Sequence, residues 1–214
     1  MSKAEWIQLF LRECETRSGN AIIQVDENGQ NSIILYPGAN RQITKEFVDE
    51  VLGEFQEGDV LLLQNEINEL PYIMEQAYEK GMKIVLNPSP FDDALRLCNM
   101  ESVSLFLVNE VEGFQMTGEK EPKEIIRKMH EMYPYAEVVL TLGSKGALFA
   151  GKEEICEQPI FSVKAVDTTG AGDTFTGYFV TAYYEGKEPK EALRLAAMAS
   201  AIAVTRKGAQ LRFQ

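Results

Sequence analysis

VLLLQNEINELPYIMEQAYEKGMKIVLN, residues 60–87, decides the architecture. Val60–Gln64 and Lys83–Asn87 are unbroken apolar runs of strand length. Between them, Pro71 to about Lys80 reads as a helix that Gly81 stops. Strands that do not alternate polar and apolar residues are buried on both faces, and strands separated by helices build a parallel sheet with helices on either side. The same unit repeats outward. Leu105–Val108 is a further strand, followed by helices at about Glu110–Met116 and Pro122–Tyr133, and Val138–Leu142 is another. Gly146–Ala150 and Ile155–Cys156 suggest antiparallel strands beyond it, and helices at about Gly172–Glu185 and Pro189–Val204 end the chain. Upstream, Ala21–Val25 and Asn31–Leu35 flank the turn Asp26-Glu27-Asn28-Gly29 as a hairpin, and Thr44 caps a helix to about Phe55. In such a fold ligands sit where strand carboxyl ends meet helix N-termini. That rule directs attention to the loops after Gln64, Asn87, Val108, Thr141 and Val166.

Composition narrows the classes. With 214 residues, 45% of them hydrophobic, the chain can close a real core, and one domain is expected. Its 33 acidic against 21 basic residues give a net charge of −12, which argues against a nucleic-acid partner. No apolar run approaches the roughly 18 residues of a membrane span, and the start is too charged for a secretory signal. Cys14, Cys98 and Cys156 are odd in number and form no CxxC pair, so neither a disulfide framework nor a zinc site is suggested. The expectation is a soluble, cytoplasmic protein without membrane contact. His130, the one histidine, supports no triad and is expected at the surface. Asp92-Asp93 and Glu153-Glu154 read as solvated loop pairs, and no GxGxxG follows a first strand as a dinucleotide-binding domain requires.

The chemistry concentrates in Val166-Asp167-Thr168-Thr169-Gly170-Ala171-Gly172-Asp173-Thr174-Phe175-Thr176-Gly177. Small residues at 170–172 precede an apolar helix, so backbone amides can converge on an anion where the helix dipole is positive. Asp173 falls in the first helical turn beside such a phosphate, placed to take a proton from an attacking hydroxyl. Its charge would repel the phosphate unless a cation is shared, which implies Mg²⁺. The competing reading is a Gly-rich turn with Asp173 as an ordinary helix-start residue.

This segment resembles the C-terminal signature of the ribokinase-like (phosphofructokinase-B-type) carbohydrate kinases. Matching segments follow in family order: Ser18–Asp26, Asn31–Ile34, Pro37–Asn40, Leu62–Glu66, Leu86–Pro90, Asn109–Glu112, Thr141–Gly146 and Val204–Gln210. The resemblance implies a three-layer α/β/α fold with a central, mostly parallel sheet. It implies ATP-dependent phosphorylation of a sugar hydroxyl, with ribose to ribose 5-phosphate as the first expectation and adenosine, fructose or deoxyribose as alternatives. ATP, Mg²⁺ and K⁺ are the implied cofactors, and a small-molecule sugar the implied partner.

By the same resemblance Asp173 is the general base, and the amides of Gly170, Ala171 and Gly172 form the anion hole. Asn109 and Glu112 match an NxxE motif that organises Mg²⁺, its waters and the phosphates, although Glu110 and Glu112 also suit a solvated first helical turn. Thr141, Gly143 and Gly146 match a nucleotide-binding loop, against the alternative of a plain strand-to-strand turn in which Lys145 is a surface charge. Glu66 corresponds to an acidic sugar contact, or else Asn65 or Glu66 caps the next helix. Asp167 corresponds to a monovalent-cation position completed by carbonyls of Thr205–Gln210, or else caps its own turn.

The departure from the family is also legible. Residues 1–17 match at most a remnant helix ahead of the kinase domain at 18–214, and the family's N-terminal strands, Gly-Gly sugar motif and part of the sugar-binding lid have no counterpart. Leu211–Gln214 does not continue as the family does. A sheet edge left bare in this way is a template for a homodimer. Reduced sugar phosphorylation is therefore expected, and the second reading is an inactive nucleotide-binding fragment or a partner-dependent regulatory protein.

Overall fold

Because side chains alternate across a strand, each apolar run supplies two faces at once. The computed structural model describes residues 10–25, 31–152 and 154–206. Strands β1 (Asn20–Val25) and β2 (Asn31–Tyr36) pair antiparallel as a separate hairpin, whose expected turn at 26–29 lies outside the described residues. The main sheet holds β3 (Val60–Gln64), β4 (Lys83–Asn87), β5 (Val103–Asn109), β6 (Glu137–Thr141), β7 (Ala147–Ala150) and β8 (Ile155–Gln158), neighbours in that order. Pairing is parallel from β3 to β6 and antiparallel for β7 and β8, as the sequence implied.

Helices α1 (Lys45–Gly53), α2 (Leu70–Glu79), α3 (Glu110–Thr117), α4 (Pro122–Met132), α5 (Ala171–Tyr184) and α6 (Pro189–Val204) complete the layers. Ile84, Leu86, Phe106, Val108, Val138 and Leu140 face one core, with Ile73, Met74 and Ala77 of α2 and Ile125 and Met129 of α4. The residues between them, Val85, Leu105, Leu107 and Val139, face a second core with Phe175 and Phe179 of α5 and Leu193 and Ala196 of α6. Each fully buried large side chain contributes about 1.5–3 kcal/mol, so strands that serve two cores cannot slip register cheaply.

Local signals explain most boundaries. The Thr44 hydroxyl accepts from the Phe47 amide at 3.3 Å, capping α1, which stops at Gly53 rather than Phe55 because the Glu54 and Phe55 amides turn back to the Val51 and Leu52 carbonyls. Gly81 takes φ +73 just beyond α2, a left-handed stop. Three expectations need correction, and one feature had no forecast. Residues 10–16 contain no helix, and residues 1–9 lie outside the description. Neither Asn65 nor Glu66 caps α2, whose N-cap is Glu69. Short 3₁₀ turns at Asp93–Leu97 and Met100–Ser102 were not foreseen. His130 is half-buried in the last turn of α4, with Nε2 enclosed and without a hydrogen-bond partner among the described residues. No described helix is long and apolar enough to cross a membrane.

Candidate active site

Strand register builds the floor of the site. Gln64 ends β3 beside Asn87 of β4, and Asn109 ends β5 beside Thr141 of β6, so polar side chains replace apolar ones where the strands stop. Across from them starts α5. A cavity of about 190 Å³ lies between, and its wall includes Gln64, Asn87, Asn109, Glu112, Thr141 and the run Gly170–Asp173.

The helix start is open on its ligand side and anchored behind. Gly170, the N-cap, sits at φ +70, a conformation that penalises any residue with a Cβ, and no side chain caps it. The first amides of a helix lack intrahelical acceptors. That of Ala171 donates to the Thr168 carbonyl at 3.1 Å, so it is already engaged, contrary to the expectation of three open amides. A Cβ built on Gly172 meets nothing within 4 Å. Behind, the Thr174 hydroxyl donates to the Gly170 carbonyl at 2.8 Å and Ser200 of α6 donates to the Ala171 carbonyl at 3.0 Å. Phe175 and Phe179 stack in parallel at 6.3 Å within the core below. Asp173 is exposed on the cavity wall, and Gln64 Nε2 donates to its Oδ1 at 3.4 Å.

The Asn109–Glu112 pair is a reciprocal capping box. Asn109 Oδ1 accepts from the amides of Val111 and Glu112 at 2.8 and 2.9 Å, while Glu112 Oε2 accepts from the Asn109 amide at 3.0 Å. Glu112 is only 6% exposed and lines the cavity. The structural use of these residues and a role toward a ligand are therefore compatible. Among the described residues no three acidic, histidine or cysteine side chains form a metal cluster. Asn109 Oδ1 is taken up by two amides, so the buried Glu112 carboxylate is the group that fits Mg²⁺, which keeps several waters and draws ligands from substrate phosphates.

The other expected residues divide, with Thr141 on this wall and the rest away from it. The Thr141 hydroxyl donates to the Val108 carbonyl at 3.4 Å. Gly143 and Gly146 lie in the β6–β7 turn, where Gly146 takes φ +111 and a Cβ on it would stand 2.1 Å from the Gln158 carbonyl oxygen, so the turn and the neighbouring β8 both demand that glycine. Lys145 approaches Glu110 at 3.4 Å in an exposed pair. Glu66 is exposed in the turn after β3, off the wall. Asp167 Oδ1 accepts from the Thr169 amide at 2.9 Å, and the amides of Val166 and Asp167 donate to the Val204 carbonyl at 2.8 and 3.2 Å. Residues 207–210, expected to help hold a cation there, lie outside the description. Gln64, Asn87, Ser89, Thr168 and Thr176 line the cavity without having been assigned a role. Polar residues that end apolar strands mark the first two, and Thr176 lies one helical turn beyond Asp173.

An uncapped helix start at the carboxyl end of a mostly parallel sheet, with a carboxylate in its first turn, is the arrangement by which α/β proteins receive phosphate groups. The chain belongs to the pfkB family of carbohydrate kinases, whose signature matches residues 7–213. It is 35% identical over 201 residues to the ribokinase of Haemophilus influenzae, covering 90% of this chain and 65% of that protein. It is 32% identical to the deoxyribokinase of Salmonella typhi, covering 91% of this chain and 66% of the relative. The structure of Arabidopsis thaliana ribokinase complexed with ribose and ATP superposes with a TM-score of 0.75 at 30% identity, covering 91% of this chain and 65% of that one. The chain thus spans about 65% of the length of these relatives.

Proposed function

We propose that this chain carries the catalytic and nucleotide half of an ATP-dependent kinase for a pentose hydroxyl, with D-ribose to ribose 5-phosphate the leading reaction. The observation that carries the reading is the convergence, on one cavity, of the Gly170–Gly172 helix start, Asp173 and the Asn109–Glu112 pair. Ribokinase and deoxyribokinase among the relatives support the sugar class.

In the proposed reaction Asp173 accepts the proton of the sugar hydroxyl as its oxygen bonds to the γ-phosphorus. The bond from the γ-phosphorus to the bridging oxygen breaks, and ADP leaves with that oxygen. The amides of Gly170 and Gly172 receive charge that develops on the transferring phosphoryl group, which is where preorganised donors act most strongly. Asn109 and Glu112 would hold Mg²⁺ through its waters, and Thr141, Gly143 and Gly146 border the nucleotide. Mg²⁺ when bound neutralises the phosphate oxygens and so relieves their repulsion by Asp173. Asp167 with the Thr205–Gln210 loop is the proposed seat of K⁺, Glu66 the proposed acidic contact to the sugar, and the cytoplasm the proposed compartment.

The test is ribose-dependent ADP release with Mg²⁺ and K⁺, run beside Asp173→Asn. Loss of about 10²–10⁴-fold in the variant, with unchanged melting temperature, is expected. A folded protein that ATP stabilises but that releases no ADP with any sugar would replace this reading with the nucleotide-binding, non-catalytic one.

A further inference from the structure

Asp173 stands at an exposed helix start, where a carboxylate is free to rotate, yet proton abstraction needs one oxygen held toward the acceptor hydroxyl. Within the described residues, one side chain records a hydrogen bond to it. Gln64, at the last position of β3 and 109 residues away in sequence, donates from Nε2 to Asp173 Oδ1 at 3.4 Å. The polarity of that contact is fixed by chemistry, because an ionised carboxylate only accepts, so the glutamine must present its amide nitrogen. Gln64 is itself half-buried at the end of a strand held by parallel pairing to β4. A donor on a rigid strand faces an acceptor on a helix anchored by the Phe175–Phe179 stack.

We propose that Gln64 is a positioning residue for Asp173. Its amide holds Oδ1 and so leaves Oδ2 as the oxygen offered to the sugar hydroxyl. The role of Asp173 rests on the kinase reading, but the coupling of the two side chains does not. Gln64 touches no reacting atom, and its contribution passes through the carboxylate. A hydrogen bond to a charged group at this place is worth about tenfold in turnover.

Two measurements on the full chain separate the outcomes. In ¹⁵N–¹H spectra the Gln64 side-chain amide, assigned by its disappearance in Gln64→Leu, is expected to move in Asp173→Ala. In sugar-dependent turnover, Gln64→Leu is expected to lose about tenfold in kcat with KM for ATP unchanged, and Gln64→Glu to lose more. Glutamate keeps the shape of glutamine but replaces donation by repulsion, so a purely space-filling role predicts wild-type kcat for it. An amide signal indifferent to Asp173→Ala overturns the proposal, as does a loss confined to the sugar KM. If the wild-type chain shows no sugar-dependent turnover, the kinase reading fails, and the amide signal alone upholds or overturns the Gln64–Asp173 coupling.

Discussion

The two ends of the sheet present opposite kinds of hollow. At the carboxyl ends of the parallel strands lies the small cavity of about 190 Å³ with its helix start, glycines and Asp173. At the other end, near the starts of β4, β5 and β6 and the α5–α6 turn, lies a larger one of about 730 Å³, lined by tyrosine, lysine and glutamate side chains. There Tyr183 donates to Glu137 at 2.7 Å, and the first turn of α6 brings Pro189, which has no amide proton, and its own Glu191. Both helix starts lack a side-chain cap and carry an acidic residue in the first turn, but α6 begins on a proline, which offers no amide, whereas α5 begins on small residues behind a Gly170 N-cap at φ +70. Size does not locate the site; uncommitted donors at a positive helix end do.

Three substitutions break or sharpen that contrast. The largest effect is expected from Gly170→Val, which forces a β-branched residue to φ +70 and costs about 1–2 kcal/mol in backbone strain. It should also abolish the ATP-induced rise in melting temperature, and retained stabilisation by ATP would remove the helix start from the site. Next, Asn109→Ala removes the cap of α3 and should lower unfolding stability by about 1 kcal/mol in urea. The same variant should weaken Mg²⁺-ATP binding by calorimetry, and stability loss with intact binding would leave only the capping role.

The smallest effect belongs to the opposite end. Tyr183→Phe should cost about 0.5–1.5 kcal/mol and leave ATP stabilisation untouched. Burial first, then the hydrogen bond to Glu137, raises the Tyr183 hydroxyl above its ordinary range, and burial pushes Tyr184 up to about 12. A raised folded value means stability that is whole below the unfolded tyrosine range near about pH 10 and lost as pH rises through the folded one. Alkaline melting of wild type against Tyr183→Phe/Tyr184→Phe reads this directly: the double variant should lose the steep fall above that range.

Sequence by itself determined the layers, the strand directions and the Gly170–Asp173 segment. Apolar periodicity and glycine placement are local quantities, and Val60–Asn87 or Val166–Gly177 carry them whole. The β3-to-β8 order is the sequential one that short connections between buried strands favour. Tertiary structure alone decided the rest. Local pattern cannot say that the Ala171 amide is already engaged by Thr168, that the backbone of β8 crowds the Cβ position of Gly146, or that Glu66 lies off the cavity wall. It cannot bring Gln64 to Asp173 either, because hydrogen bonds between residues 109 positions apart depend on how strands and helices pack. Which groups are left uncommitted is a property of the packed whole, and that is what sets the candidate site apart at one end of this sheet.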